Sequence, residues 1–467
     1  MMSLEQARAG LQAGGLAARV RGDAATRFES VSTDTRTLGR EALYVALRGP
    51  RFDGHDFAGA AAAAGAAALL AEHELPSELP QLLVADTRAA LGGLAAHWRA
   101  RLSLPLIAVA GSNGKTTTTQ MIAAILAQAF GERDGKARWF ATRGNRNNEI
   151  GVPLMLLELR AEHRAAVLEL GMNHAGEIAT LAGWARPGIA VITNAQREHQ
   201  EFLESVEATA RENGAAIGAL APEGVAVFPA DDACAAIWRA LAGERRVLDF
   251  ALDGPAAVRG QVALGTQSCR LDVQTPAGAL QATIALGGEH NARNALAAAA
   301  ASLAAGIGLP AIAAGLEAFR PVAGRGTRRA LAGGASLIDD SYNANPDSVR
   351  AAIDLLARQP APRVLIFGDM GEVGTQGPAF HAEIGRHARA RGIEHFLALG
   401  EQARGAVQAF GAGARHFDSA EALAAAAHAL AAAPGPAPTF LAKGSRFMRL
   451  ERVVALLDAG GGTGGHA

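Results

Sequence analysis

The stretch Gly111-Ser112-Asn113-Gly114-Lys115-Thr116-Thr117 has residue types and spacing suited to holding a polyphosphate. Glycines let backbone N–H groups approach phosphate oxygens, Lys115 adds a point charge, and the Thr116 hydroxyl can hold Mg²⁺. The spacing is G-x-x-G-K-T, shorter than G-x-x-x-x-G-K-[ST], whose first glycine would fall on Val109. Glu169 closes an apolar run at 165–170. A carboxylate at the C-terminal end of a parallel strand beside a phosphate loop can complete an Mg²⁺ site, and it stands equally as a solvated strand end. His199 follows a second apolar run at 190–194, in a polar stretch where an exposed histidine is also ordinary. Asn291 and Asn294 open an alanine-rich helix, where Asn291 could serve as the N-cap. Ser32, Thr33, Asp34 and Arg36 precede a strand at 43–47, and Arg48, Asp53 and His55 follow it. Such loops bind ligands in α/β proteins, and they equally provide turns and a charge pair.

These residues need elements to hold them. Leu106–Ala110 reads as a buried strand, and the helix after the glycines puts Met121, Ile122, Ile125 and Leu126 on one face. Before it, strands are expected at 43–47, 67–71 and 82–84, with helices at 57–65 and 89–101. The segment 142–153, dense in amides and glycines, reads as a loop throughout. Short strands near 262–264, 270–274 and 282–284 suggest an antiparallel patch appended to the parallel sheet. Strands at 336–339, 363–368, 396–400 and 439–442 alternate with helices, as in a second doubly wound unit that lacks a phosphate loop.

At 467 residues the chain is too long for one core, and about three domains are expected. The expected class is α/β: a small N-terminal α/β domain (1–103), a central P-loop doubly wound domain with the antiparallel patch (104–321) and a C-terminal Rossmann-like domain (322–467). Hinges are expected near 101–105 and 320–324. A net charge of −1 argues against binding nucleic acid through its backbone charge. The two cysteines, Cys234 and Cys269, have no metal-ligand spacing and read as buried free thiols of a reducing compartment. The apolar run 60–71 is too short to span a bilayer, so a cytoplasmic protein without membrane insertion is expected.

The order of these pieces resembles the Mur ligases, ATP-dependent amide-forming enzymes of peptidoglycan precursor synthesis. The resemblance runs from Asp34-Thr35-Arg36 to Lys443-Gly444-Ser445-Arg446. Its most specific parts are Asn147-Asn148-Glu149-Ile150-Gly151-Val152-Pro153, Glu169-Leu170-Gly171-Met172-Asn173-His174 and Asp340-Ser341-Tyr342-Asn343-Ala344-Asn345-Pro346. It implies ATP and Mg²⁺ as cofactors, with UDP-N-acetylmuramoyl-tripeptide and D-alanyl-D-alanine as substrates of a monomeric enzyme. The tripeptide carboxylate would be phosphorylated and the acyl phosphate attacked by an amine. By resemblance, Lys115 contacts the terminal phosphates, Thr116 and Glu169 hold one Mg²⁺, and His199 holds a second. Asn291 and Asn294 face adenine, and Arg325, Asp340, Tyr342 and Asn343 close over the nucleotide. The uridine end falls to 32–36 and 48–55, the muramyl-peptide to Thr142, Asn147 and Asn148, and further substrate contacts to Asn345, Lys443 and Arg446.

One position departs from the family. Where many members carry a carbamylated lysine, this chain has Asn213, with Glu212 turned about 100° away on the helix. No carbamate is expected, and Asn213 with water or a small anion is expected to replace it. Rival readings are a ligase adding the third amino acid, a folylpolyglutamate-type synthetase and a non-catalytic nucleotide-binding protein. The Asp-Asn-Pro-Arg stretch usual in diaminopimelate-adding relatives is absent.

Overall fold

In the computed structural model, which describes residues 1–198, 200–203 and 205–459, three α/β units follow one another along the chain. The central unit is built on a six-stranded parallel sheet. Its spatial order is Trp139–Ala141, Ala165–Glu169, Leu106–Ala110, Ile189–Ile192, Val225–Val227 and Arg246–Val247. The strand Leu106–Ala110 is wholly buried, as its apolar, β-branched sequence requires of a strand covered on both faces. After it the chain builds strands on one side, then crosses to the other. The turn after Ala110 therefore lies where the strand order reverses, the usual ligand crevice of a doubly wound sheet.

The strands expected at 262–264, 270–274 and 282–284 are longer, at Val258–Leu264, Cys269–Thr275 and Gly278–Ile284. They meet the parallel sheet through a bridge between Pro229 and Phe250. With Phe250–Ala251 they form a separate four-stranded sheet. Their alternating burial lets Val258, Leu271, Val273 and Ile284 face a core shared with the helices Lys115–Phe130 and Glu289–Ala304. The segment read as loop through 153 turns helical at Gly151–Leu157, because Asn148 Oδ1 accepts the Gly151 N–H at 2.9 Å and opens a helix whose apolar residues are buried.

The N-terminal unit is a five-stranded sheet in the order Ala18–Arg21, Gln81–Val84, Ala68–Ala71, Ala42–Val45 and Ser30–Ser32, parallel except for its first strand. Its helix Thr87–Arg99 packs on Gly151–Leu157 and Glu177–Ala185 of the central unit, so the two units share one continuous apolar core. The hinge expected near 101–105 is instead pinned. Buried Arg99 donates to the Leu102 and Leu104 carbonyls on the linker, at 2.6 and 3.1 Å, and to Ala185 beyond it at 3.0 Å.

The C-terminal unit has its own six-stranded sheet, with Thr327–Ala330 as an antiparallel edge followed by Ser336–Asp339, Thr439–Lys443, Arg363–Gly368, His395–Leu399 and Ala414–Phe417. Its apolar clusters contain no residue of the other two units. Among the described residues no helix is long and apolar enough to cross a membrane. Both cysteines are free and buried.

Candidate active site

The glycines make the phosphate loop possible. Gly111 has φ +127° and Gly114 φ +83°. A Cβ on the first would overlap Thr193 Oγ1, and one on the second would overlap Asn294 Oδ1, so the loop is pressed between two elements. The segment after Ile192 holds it. Asn194 Oδ1 accepts the Asn113 N–H at 2.9 Å, and Thr193 Oγ1 donates to the Asn113 carbonyl at 2.7 Å. Lys115 Nζ donates to the Gly111 and Ser112 carbonyls at 2.6 and 3.0 Å and to Glu198 Oε1 at 2.8 Å. The helix starting at Lys115 points its N-terminus at the same space.

Parallel pairing sets Val109 beside Glu169, which carries that carboxylate to the strand end next to the loop. Glu169 is buried, its Oε1 accepts from Asn147 Nδ2 at 2.8 Å, and its N–H donates to Thr142 Oγ1 at 2.9 Å. The strand end is therefore not solvated. The Thr116 hydroxyl and the Glu169 carboxylate face one cleft and are hard oxygen donors of the kind Mg²⁺ takes, so the residues present fit that ion. His199 lies outside the described residues. Among those described, no group of three or more His, Cys, Asp or Glu side chains is gathered to hold a metal.

This cleft, of about 1630 Å³, opens between the central and C-terminal units. Ser112, Asn113, Gly114, Lys115, Thr116 and Thr117 line one wall, with Asn147, Asn148 and Glu169 beside them and Asn291 and Asn294 beyond. Asn291 is not the N-cap of its helix; that position is Gly288, and the Asn291 amide donates back to the Gly287 carbonyl at 2.8 Å. Arg325, Asp340, Tyr342, Asn343, Asn345, Lys443 and Arg446 form the opposite wall. There Lys443 is buried rather than a solvated basic edge, donating to Asp340 Oδ2 at 2.6 Å and to the Asn343 carbonyl at 3.0 Å. The guanidinium groups of Arg325 and Arg446 lie 4.2 and 5.6 Å from the Tyr342 ring centroid. Asn345 exchanges amide hydrogen bonds with Asn113 at 2.9 and 3.2 Å while capping the helix Pro346–Leu356, so it joins the two walls.

The remaining sequence-predicted residues sit elsewhere. Ser32, Thr33, Asp34, Arg36, Arg48, Asp53 and His55 belong to the N-terminal unit, and with Thr142 they lie outside the walls of the cleft. The exposed Arg36 guanidinium holds the Asp34 carboxyl down at about 2. His55 is buried with both ring nitrogens engaged: Nδ1 lies 2.5 Å from Asp53 Oδ1, and Nε2 accepts the Glu72 N–H at 3.0 Å. Arg88 ties this unit to the central one through an ion pair with Glu149.

Three contributions went unread in the sequence. Glu198 holds Lys115. Asn194 and Gln196 brace the loop, Asn113 Nδ2 donating to Gln196 Oε1 at 2.6 Å. Arg197 bridges to the C-terminal unit, donating to Asp347 at 2.6 Å and Glu383 at 2.7 Å. Burial alone would lower the Arg197 pKa, but these two carboxylates outweigh it and raise it above the ordinary arginine value. The signal was available: 193–198 follows the C-terminal end of the strand beside the phosphate-loop strand.

The Asn213 amide is engaged by protein groups, its Nδ2 donating to the Thr209 carbonyl at 3.1 Å. It is buried, and Oδ1 accepts the Gly111 N–H at 2.8 Å. Glu212, one position back, faces away and accepts the Gly176 and Ile178 N–H groups at 2.9 and 3.0 Å.

Comparison with known proteins gives the same division into three. Family models described as the Mur ligase family catalytic domain, the Mur ligase middle domain and the Mur ligase glutamate ligase domain match residues 27–99, 109–302 and 324–446. The chain is 40% identical over 436 residues to UDP-N-acetylmuramoyl-tripeptide–D-alanyl-D-alanine ligase of Escherichia coli, covering 93% of this chain and 94% of that one. It is 36% identical to the Haemophilus influenzae enzyme of the same name, covering 86% and 87%. Among solved structures, a crystal structure of MurF from Acinetobacter baumannii superposes with a TM-score of 0.90 at 33% identity, covering 98% of this chain and 99% of that one. MurF from Thermotoga maritima in complex with ADP superposes at 0.79 with 25% identity, covering 93% and 97%.

Proposed function

The chain belongs to the Mur ligase family, and we propose from that premise how its cleft carries out the family's amide-forming chemistry. The enzyme is an ATP-dependent ligase that adds D-alanyl-D-alanine to UDP-N-acetylmuramoyl-tripeptide. A carboxylate is a poor electrophile and an amine cannot displace its oxygen directly. The tripeptide carboxylate therefore attacks the γ-phosphorus of ATP, ADP leaves, and the resulting acyl phosphate carries a good leaving group. The amine of D-alanyl-D-alanine then attacks the acyl carbon, loses a proton, and phosphate departs from the tetrahedral intermediate.

Little covalent work falls to the protein; positioning and positive charge supply most of the rate. The N–H groups of Gly114–Thr117 at the helix N-terminus cradle the phosphates, those of Ser112 and Asn113 being held by Asn194, and Lys115 exchanges its Glu198 contact for phosphate oxygens. Thr116 and Glu169 would hold Mg²⁺, which supplies charge neutralisation on the transferring phosphoryl group. Asn291 and Asn294 frame the base, and Arg325, Asp340, Tyr342 and Asn343 cover the nucleotide from the C-terminal unit. Asn147 and Asn148 present amides to the peptide, Asn345, Lys443 and Arg446 meet the substrates across the cleft, and 32–36 with 48–55 receive the uridine end.

The observation that carries this reading is one cleft shared by two α/β units, with the phosphate loop on one wall and a cationic, aromatic wall opposite. The test is phosphate release from ATP·Mg²⁺ with the UDP-tripeptide, with and without D-alanyl-D-alanine, the product being weighed by mass spectrometry. Release that needs both partners and yields the pentapeptide is expected. Release unaffected by the dipeptide, or a product lacking its mass, contradicts the assignment.

A further inference from the structure

We infer that Asn213 is the positioning residue of the phosphate loop: its amide fixes the first loop peptide and, through it, the place of Lys115. Asn213 is fully buried in the helix Val206–Gly218. Its Oδ1 accepts the Gly111 N–H at 2.8 Å, across 102 residues of sequence, and its Nδ2 donates to the Thr209 carbonyl at 3.1 Å. The Gly111 carbonyl, on the other side of the same Cα, accepts from Lys115 Nζ at 2.6 Å. Asn213, the two peptides flanking Gly111 and the Lys115 ammonium thus form one chain of contacts.

The anchor stands on a fixed platform. Trp238 Nε1 donates to the Ala210 carbonyl at 2.9 Å, and Gly214 lies so close to Leu241 and Trp238 that a Cβ there would press on both. Ser205 caps the helix start, accepting the Ala208 N–H at 3.1 Å. The position demands an acceptor and a donor on one short side chain, which is the inventory of asparagine. Alanine leaves the Gly111 N–H buried without a partner. Lysine offers no acceptor, and glutamine is one carbon too long. Gly111 needs the restraint because φ +127° is open to glycine in many neighbouring conformations, and a loop free to sample them is not preorganised for phosphate.

The inference rests on reading Ser112–Thr117 as the ATP phosphate site, and the test separates the two. Wild-type enzyme, Asn213→Ala and Asn213→Asp are compared in binding of a non-hydrolysable ATP analogue by calorimetry, in KM for each substrate, in thermal midpoint, and in hydrogen exchange of the peptide spanning Gly111. Asn213→Ala is expected to raise KM for ATP about tenfold, the worth of one buried hydrogen bond. It should leave KM for the UDP-tripeptide unchanged and speed exchange at Gly111. Asn213→Asp keeps the acceptor at the same reach but loses the donor to the Thr209 carbonyl, so exchange at Gly111 is expected to stay slow while the thermal midpoint falls. Should the alanine variant not fold, Asn213→Ser takes its place, since its hydroxyl can still bond the Thr209 carbonyl but does not reach Gly111. In Asn213→Ala or its serine replacement, a lower thermal midpoint with unchanged ATP affinity and Gly111 exchange overturns the inference alone. Wild-type enzyme that binds no analogue overturns the nucleotide reading, and the inference with it.

Discussion

Several side chains that read as substrate contacts spend their hydrogen bonds on other residues of the site. Thr142 gives its hydroxyl oxygen to the Glu169 N–H, so Thr142→Val, which keeps the shape, leaves that buried donor unpaired. The expected cost is about 1–3 kcal/mol in denaturant unfolding, with a fall in turnover as Glu169 shifts. Unchanged stability with a raised tripeptide KM would make Thr142 a substrate contact instead. Lys115 is the only lysine on the phosphate loop, and Lys115→Ala is expected to cut kcat by about 10²-fold or more, measured by phosphate release, with folding intact. Asn213 has no amine to carbamylate. Turnover in CO₂-free buffer is therefore expected to equal turnover with bicarbonate; a loss restored by bicarbonate would place a carbamate elsewhere in the site.

At the scale of elements, burial makes one histidine acid-sensitive. His381, inside the helix Gly377–Ala390, accepts the Met370 N–H at Nε2 and meets the Gly377 carbonyl 2.7 Å from Nδ1, so the ring is neutral. Burial pushes its pKa below the ordinary histidine value; the Gly377 carbonyl and Asp369 oppose this but do not overcome it. The unfolded chain then binds the extra proton first. Stability from this group is full above about pH 6.5, the unfolded value, and falls as pH drops below it. The thermal midpoint of wild-type protein is expected to fall between pH 7.5 and 5.5, and that of His381→Gln to fall less; equal slopes would contradict this. Elements were legible where local pattern and burial agree. Leu106–Ala110, the helix after it and the C-terminal strands Ser336–Asp339, Arg363–Gly368, His395–Leu399 and Thr439–Lys443 follow from apolar runs and their spacing. The N-terminal helix Leu4–Ala13 was missed although Ser3 and Gln6 form a capping box, because its apolar residues are few. The edge strand Thr327–Ala330, with two adjacent arginines, has no strand pattern and exists through pairing with Ser336–Asp339. Of the site, the phosphate loop could be read locally. The Asn213–Gly111 and Asn113–Asn345 bonds join residues more than 100 positions apart, and no local pattern encodes them.

At the scale of the molecule, the N-terminal and central units share a core, while the C-terminal unit meets them through polar contacts such as Asn113–Asn345 and Arg197 with Asp347 and Glu383. Movement is therefore expected about 320–324 and not about 101–105, with Arg197 as the latch. Arg197→Ala takes its arginine from the partly buried Asp347 and leaves Glu383 with Arg350 alone, expected to cost the closed arrangement about 2 kcal/mol. X-ray scattering should show a larger radius of gyration for the variant than for wild type, and an unchanged radius would deny Arg197 that role. In the proposed mechanism the closed cleft holds the phosphate loop and the Asp340–Lys443 wall over one carboxylate, which is phosphorylated before the amide forms. The most direct measurement uses UDP-N-acetylmuramoyl-tripeptide labelled with ¹⁸O in its terminal carboxylate and weighs the phosphate released on full turnover. One ¹⁸O transferred into each phosphate is the expected result. Phosphate free of label, with pentapeptide formed, would contradict an acyl phosphate and the mechanism built on it.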